Sequence, residues 1–395
     1  MPTRPPNAFV KVSDRRAPSV SPLELILDVV FVLAISECTG LMAEDPSWNG
    51  LVAGLLVLTI LWRGWVGFAW LTSAVDPDGT FVRLAVFTAM GAFAAMALSI
   101  EESFGHLGYV FAGAYAVIRG IHYLLGRLAS EGDPAFRSTV QRNAIGGIVA
   151  VGFLLAAAVV DGNAMTACWI GAIVADFGIG AFHIRTGWKL VPGHFAERHS
   201  LIVIIALGES VLAVGVGATQ VNSDAINTHF QTIGLALVAV MLVALLWWAY
   251  FDGVADAAEH RLEAMPPGFE QNEIARLAYS LLHLPLIGGV ILAALGLKFT
   301  IGHPHDALSS PIAAAFFGGV GLYLLAHVAF RRVMMGDVNW TRLVAGLILL
   351  ALIPVGTQVD AWISQFVITA LMAMVIVLES RTRPSAAIRQ AAADS

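Results

Sequence analysis

Acidic and basic side chains stand inside stretches of this sequence that are otherwise almost entirely apolar. The stretch SPLELILDVVFVLAISECTG, residues 21–40, carries Glu24, Asp28 and Glu37 among aliphatic residues. A charged side chain at the centre of a bilayer costs about 2.5–3.5 kcal/mol on insertion scales. Such a group is retained where it pairs with an opposite charge, exchanges protons or meets a solute, so these carboxylates are candidates for all three roles.

Ionisable residues of both signs recur in the later apolar stretches. Three interpretations stay open for them: a structural ion-pair network, a pathway for a solute or protons, and acid–base catalysis. Asp176 and His183 are seven residues apart and share one helix face. The candidates for a solute or proton pathway are Glu24, Asp28, Arg63, Arg119, His122, Asp176, His183, Glu209 and His283.

Helical spacing predicts which of these residues face the same way. Glu24 and Asp28 are four residues apart, and Arg119 and His122 are three apart, so each pair shares a face. All four are placed towards the same side of the membrane when the apolar stretches are taken as successive spans. We therefore expect the two carboxylates to meet Arg63, Arg119 or His122 in one polar cluster.

Motifs for bound metals, cofactors or nucleic acid are not evident. The segment HFAERH at 194–199 lacks the HExxH order of zinc proteases, and HPHD at 303–306 is a weak donor set for a metal. Cys38 and Cys168 form no CxxC pair. The sequence has no phosphate-binding glycine loop, no nucleophile elbow and no basic stripe. We expect no metal, no cofactor and no nucleic-acid partner.

The composition predicts that these residues lie in helices that cross a membrane. The chain is 58% hydrophobic and 13% charged, with a mean hydropathy of +0.78. Soluble domains carry about 25% charged residues. Since a bilayer-crossing helix needs about 20 apolar residues, the apolar runs predict twelve spans, at residues 22–42, 49–71, 81–100, 107–128, 143–161, 165–186, 200–219, 231–251, 275–299, 311–331, 342–357 and 361–379.

The basic residues predict the orientation of these spans. With the N-terminus inside, nearly all of the 22 Lys+Arg residues fall in inner loops or tails. Arg63 and Arg119 lie within spans, and Lys298 borders an outer loop. This asymmetry is the one that the positive-inside rule describes, so both termini are expected in the cytoplasm.

Weak internal similarity links each span to the span six further on. VRLAV at 82–86 resembles ARLAY at 275–279, and His122 corresponds to His327. An even number of spans in each half predicts a parallel repeat, although chance similarity between Ala- and Leu-rich helices is an alternative. The predicted divisions are a cytoplasmic tail 1–20, a first six-helix half 21–190, a second half 191–380 and a cytoplasmic tail 381–395.

Three segments resemble signatures of the bacterial low temperature requirement protein A family. They are SPLELILDVVFVLAISECTG (21–40), VPGHFAERHSLIVIIALGES (191–210) and YSLLHLPLIGGVILAALGL (279–297), and the likeness runs from about residue 20 to 380. The resemblance implies a polytopic protein of the bacterial cytoplasmic membrane and no settled biochemical activity. The positions it marks are Glu24, Asp28, His194, Glu197, Arg198, Glu209, Ser210, Tyr279, His283 and Pro285.

Three functions are compatible with these features. The leading hypothesis is a secondary transporter of an unidentified small molecule, with protons as the natural coupling ion. A second is a membrane-embedded enzyme that acts on a lipid or isoprenoid by acid–base chemistry. A third is a structural or sensory protein tied to the state of the membrane in the cold.

Overall fold

The protein is a bundle of long apolar helices. The computed structural model describes residues 20–76, 79–181, 187–221 and 226–382; the candidate His183 lies outside them. Within these residues the helices are α1 (Pro22–Glu44), α2 (Trp48–Ala74), α3 (Thr80–Leu98), α4 (Gly108–Ala129), α5 (Pro134–Ala157), α6 (Gly162–Ala181), α7 (Pro192–Thr219), α8 (Ile226–Phe251), α9 (Ala255–Glu263), α10 (Phe269–Ala275), a π-helical segment (Arg276–Leu281), α11 (His283–Gly302), α12 (Ser310–Met335), α13 (Trp340–Gly356) and α14 (Ala361–Thr382).

The number and apolarity of these helices make this a multi-pass membrane protein. In the described part of the chain, ten helical stretches are long and apolar enough to cross a bilayer. Two more long helices, α4 and α13, coincide with predicted spans. Arg119 and His122 lower the hydropathy of α4, and α13 has only 17 residues.

The N-terminal ends of α1 and α7 are both set by local sequence. Ser21 caps α1 with a complete capping box: its Oγ accepts from the Glu24 backbone N–H at 3.4 Å, and its own backbone N–H donates to Glu24 Oε2 at 2.9 Å. Proline at the first helical position needs no N–H partner, and Pro192 lets α7 begin eight residues before the predicted start at 200. The segment HFAERH, residues 194–199, therefore lies in the first two turns of α7.

The helix at the ninth predicted span, 275–299, is interrupted and is longer than predicted. It runs from Phe269 to Gly302 and includes the π-helical segment, where the Leu282 N–H bonds to the Leu277 carbonyl at 3.1 Å, five residues back. Pro285 has no N–H to offer the Leu281 carbonyl, so regular α-helical bonding cannot run through this point. The short helices α9 and α10, which the sequence did not predict, lead into it.

The helices form two groups that pack in similar ways. In the first group α1 packs on α2 and α3, and α3, α4, α5 and α6 then pack in chain order. In the second group α7 packs on α8 and α11, and α11, α12, α13 and α14 follow in order. The groups meet where α1 and α2 face α7 and α11.

The crossing of α11 and α12 depends on two glycines. A Cβ atom on Gly289 would lie 2.6 Å from the Gly319 carbonyl oxygen, and one on Gly319 would lie 2.8 Å from the Ala293 nitrogen. These distances are far below van der Waals contact. Small residues at helix crossings let backbones approach closely, which is a main source of stability between membrane helices.

Gly289→Ala is expected to destabilise the protein by about 1–3 kcal/mol, because the added methyl group must push the α12 backbone away. The measurement is thermal unfolding of the purified protein in detergent. The neighbouring Gly288→Ala is the matched control, since its Cβ would lie 3.8 Å from Leu58 Cδ2, an ordinary contact. Equal melting temperatures for the two variants would contradict this view of the crossing.

Candidate functional site

A buried ion cluster joins α1 to α7. Arg198 on α7 places Nη1 at 3.1 Å from Glu24 Oε1 and Nη2 at 2.6 Å from Asp28 Oδ1. His194, one turn earlier on α7, places Nε2 at 3.0 Å from Glu24 Oε1. We name Glu24, Asp28, His194 and Arg198 the α1–α7 ion cluster. All four side chains are at most 1% exposed.

Helix α2 supplies further partners of this cluster. Trp65 Nε1 donates to Asp28 Oδ1 at 2.8 Å, and the Arg198 guanidinium lies 5.4 Å from the Trp65 ring centroid. The Ser73 hydroxyl lies 3.3 Å from His194 Nδ1. Both carboxylates thus have a cationic partner inside the protein, as buried charges require, although Asp28 Oδ2 and Arg198 Nε make no hydrogen bond among the described residues.

The expectation that Glu24 and Asp28 meet Arg63, Arg119 or His122 is wrong. Both carboxylates pair with α7 instead, because the early start of α7 brings Arg198 beside them. Arg63 lies two residues from Trp65 on α2, and residues two apart point about 200° apart around a helix. With Trp65 facing α1, Arg63 therefore faces the other side.

Arg63 and Arg119 form a second buried cluster, around Asp176 on α6. Asp176 Oδ1 lies 2.9 Å from Arg119 Nη2 and 3.2 Å from Arg63 Nε. The Tyr115 hydroxyl donates to the other carboxylate oxygen, and Arg63 also donates to the Asn143 side-chain oxygen. We name these five residues the Asp176 cluster. It holds two guanidinium groups against one carboxylate.

A cavity of about 290 Å³ opens beside the Asp176 cluster. Its wall comes from α2, α4, α5 and α6 of the first group, from the π-helical segment of the second, and from Trp188 in the connection between α6 and α7. The cavity is mostly apolar, with a few convergent polar groups, as small-molecule sites generally are. The polar and charged residues in its wall are Arg63, His122, Asn143, Asp176, Arg276 and Ser280.

Two tryptophans of α2 tie the π-helical segment to the first group. Trp62 Nε1 donates to the Ser280 carbonyl at 2.7 Å, and Trp70 Nε1 donates to the Ser280 hydroxyl at 2.8 Å. Trp188 Nε1 in turn donates to the Trp70 carbonyl at 3.0 Å. π-Helical turns are rare and occur often at functional sites, and this one lies where the two groups of helices share a cavity.

Histidine and tyrosine rings pack together beyond the π-helical segment. His283 Nε2 lies 2.9 Å from the Tyr250 hydroxyl, and the rings of Tyr279 and His283 stack with centroids 5.1 Å apart. The His199 and His283 centroids are 5.2 Å apart. The marked residues His283 and Tyr279 therefore belong to a buried aromatic cluster and do not line the cavity.

The second group contains an ion pair that the sequence interpretation missed. Arg342 on α13 places Nε and Nη2 at 2.7 and 2.8 Å from the two oxygens of Glu379 on α14. Its Nη1 lies 2.9 Å from His327 Nδ1 on α12. Arg342 begins the predicted span 342–357 and Glu379 ends the predicted span 361–379, so both charges stand at the edges of apolar stretches and were not among the candidates inside them.

The other marked residues stand apart from both clusters. Glu209 on α7 accepts a hydrogen bond from the Ser36 hydroxyl on α1, and Ser210 is fully buried. Glu197 accepts from the Val20 backbone N–H at 3.1 Å, which ties the segment before α1 to α7. Pro285 interrupts the ninth span, as described above.

Several residues that build the cavity were not among the sequence candidates. Apart from Arg276 they are uncharged, so a search for ionisable groups in apolar stretches passes over them. A polar amide at the start of an apolar run was the one available signal, at Asn143. The missed residues are Gly67, Trp70, Asn143, Trp188, Arg276 and Ser280 in the cavity wall and Tyr115 in the adjoining Asp176 cluster.

Arg198→Gln is expected to destabilise the protein by about 3–5 kcal/mol, because it leaves two buried carboxylates without their cation. Thermal or denaturant unfolding in detergent measures this change. Arg331→Gln is the matched control: Arg331 makes a two-point ion pair with Asp337 at 2.8 and 2.6 Å, but the pair is largely exposed. Exposed pairs contribute about 0–1 kcal/mol.

A variant without charges separates electrostatics from packing in this test. Combining Arg198→Met with Glu24→Gln and Asp28→Asn leaves no unpaired charge, so it should regain part of the lost stability. A triple variant less stable than Arg198→Gln would contradict the charge-based explanation.

Comparison with known proteins places this arrangement in a family. A model of the bacterial low temperature requirement A protein family (LtrA) matches residues 19–377. A protein of Rhizobium meliloti (strain 1021), named Uncharacterized protein RA0937, is 27% identical over 367 residues, which cover 90% of this chain and 86% of that protein. No solved structure matches the chain. The match across almost the whole chain shows that this protein belongs to the bacterial low temperature requirement A family.

Proposed function

We propose that this protein is a secondary transporter of a small molecule, and that the cavity beside the Asp176 cluster is its solute site. The observation that carries the proposal is the position of this cavity, which is lined by both groups of helices and by an interrupted membrane helix. Secondary transporters bind substrate at the interface between repeats, where discontinuous helices expose backbone groups.

The proposed architecture is twelve spans in two six-helix halves, residues 21–190 and 191–380. The matching order of helix packing in the two groups supports a parallel repeat. So does the position of the polar residues: α4, α5 and α6 carry His122, Asn143 and Asp176, while α12, α13 and α14 carry a histidine, an arginine and a glutamate that contact one another.

The proposed location is the bacterial cytoplasmic membrane, with both termini in the cytoplasm. The distribution of basic residues supports this orientation. It places the N-terminal ends of α1 and α7, and with them the α1–α7 ion cluster, at the cytoplasmic side. The bilayer and a small-molecule solute are then the proposed partners.

Protons are the proposed coupling ion. The cavity wall contains Asp176 and His122, whose side chains can exchange protons. No group of three or more His, Cys, Asp or Glu residues able to hold a metal ion occurs in the described part of the chain. Proton coupling therefore fits the available side chains better than coupling to a coordinated cation.

The geometry gives less support to the two other hypotheses. An enzyme using His194, Glu197 and Arg198 would need these groups to be accessible, yet His194 and Arg198 are buried in ion pairs. A purely structural role accounts for the α1–α7 ion cluster, where charges are matched. It does not account for a cavity with convergent polar groups at the junction of the two groups of helices.

Modification of the cavity is expected to block transport. In a background with Cys38 and Cys168 replaced by alanine, Ser280→Cys should react with a membrane-impermeant thiol reagent added from the cytoplasmic side, and reaction should abolish most of the solute flux. Flux is measured in proteoliposomes with an internal pH-sensitive dye and a panel of organic acids, amino acids, sugars and amines.

Ser210→Cys is the matched control, because Ser210 is a buried serine outside the cavity wall. It should neither react nor lose flux. Absence of solute-dependent proton flux across the whole panel would remove the transporter proposal, and flux unchanged by complete labelling of Ser280→Cys would remove the cavity as the solute site.

A further inference from the structure

We infer that the cavity beside the Asp176 cluster selects small anions, which bind against the bare backbone of Gly67, next to His122 and in front of Arg119. Calling this anion the transported solute rests on the proposed function, whereas its binding does not. The shared chemistry is a compact oxyanion, a carboxylate or an inorganic phosphate.

The charges around the cavity favour an anion. Asp176 is the only carboxylate within reach of both Arg63 and Arg119 in the described part of the chain. Arg276, also in the wall, is already matched by Glu273 at 2.5 Å. One guanidinium charge therefore remains uncompensated in a region of low dielectric, and a bound anion would neutralise it.

Arg119 also has hydrogen-bond donors to spare. Its Nη2 group serves Asp176 Oδ1 at 2.9 Å and the Asn143 carbonyl at 2.9 Å. Its Nη1 and Nε atoms are buried without a partner among the described residues, and the side chain is only 6% exposed. An unpaired buried donor of this kind is costly, and a charge-assisted hydrogen bond to an anion would remove the cost.

His122 offers a further polar group at the same place. Its Nε2 is buried without a hydrogen-bond partner in the described structure, although the ring also lies beside the Gly67 carbonyl. The ring is held parallel to that of Trp188, with an interplanar angle of 8° and a centroid distance of 6.3 Å. Its orientation towards the cavity is thus set by packing.

Gly67 leaves open the space in front of these atoms. A Cβ atom built on Gly67 would lie 3.5 Å from Arg119 Nη1 and 3.6 Å from His122 Nε2. Both spare groups therefore lie next to the face of Gly67 that carries no side chain, and a methyl group at position 67 would cover them at ordinary contact distances. Gly67 and His122 line the cavity, whereas Arg119 lies behind Gly67 and lines a neighbouring pocket between α4 and α5. Because Gly67 carries no side chain, an anion in the cavity that is seated against its backbone would approach Arg119 Nη1 as well as His122 Nε2.

The size and the apolar walls narrow the ligand further. The cavity holds about 290 Å³, which corresponds to roughly ten water molecules at about 30 Å³ each. The apolar side chains in its wall include Trp70, Phe177 and Leu281. A small anion with a short apolar body, such as a monocarboxylate, fits this combination better than a large or highly charged one.

Binding is tested with the full-length protein in nanodiscs by thermal unfolding at increasing concentrations of acetate, benzoate or inorganic phosphate. Acetamide and benzamide serve as uncharged counterparts of the two carboxylates. At least one of the anions should raise the melting temperature in a saturable way, and the two amides should not. The comparison of carboxylates with phosphate distinguishes the two sources of the oxyanion.

Gly67→Ala is the decisive variant, since its methyl group fits at ordinary contact distances yet keeps the anion away from Arg119 Nη1 and His122 Nε2. The apparent dissociation constant of this variant for the anion should be at least about tenfold higher than that of the wild type. Gly113→Ala, with nothing within 4 Å of the added Cβ, should bind as the wild type does. A second measurement does not depend on the Gly67→Ala variant: the bound anion should slow thiol labelling of Ser280→Cys.

The outcomes separate this inference from the proposed function. Anion binding that Gly67→Ala weakens, without flux in proteoliposomes, would keep the anion site and remove transport. Flux with no anion binding, or binding equally tight in Gly67→Ala, would overturn the anion site and leave transport standing.

Discussion

The ion pairs of Arg198 with Glu24 and Asp28 are the interaction on which the rest of the structure depends. They join the first helix of one group to the first helix of the other, deep inside the bundle. Buried charges tolerate little displacement, because each of them loses several kcal/mol of solvation and regains it only from close partners. The relative position of α1 and α7, and hence of the two groups, follows from that requirement.

The Asp176 cluster also consists of buried charges, but its positive and negative charges are not equal in number. In the α1–α7 ion cluster two carboxylates surround an arginine and a histidine, and the site is closed. In the Asp176 cluster two arginines share one carboxylate beside a cavity. The paired charges of the α1–α7 ion cluster stabilise the junction of the two groups. The surplus positive charge of the Asp176 cluster is the basis of the proposed anion site. One type of residue thus supports a structural role in one place and a proposed binding role in another.

The cavity exists because a helix of the second group is interrupted where it meets the first. Pro285 and the π-helical turn expose the Ser280 carbonyl and hydroxyl, and Trp62 and Trp70 of α2 bind them. Trp188 then packs over His122. Within a bilayer, irregular backbone is tolerated only where protein or water satisfies its polar groups. These tryptophans meet that condition while keeping the turn beside the cavity.

The sequence by itself determined the class of protein, the approximate positions of the long apolar helices and the presence of charged residues inside them. These are local properties, because each can be recognised within one stretch of sequence. The sequence also indicated that Glu24 and Asp28 share a face. It did not indicate their partner, because Arg198 lies 170 residues beyond Asp28 and its position depends on where α7 begins. Only the tertiary structure separated the charges into two clusters and placed uncharged residues such as Gly67 and Ser280 at a cavity. The physical reason is that pairing between helices depends on their rotation and depth in the bundle, which no local pattern encodes.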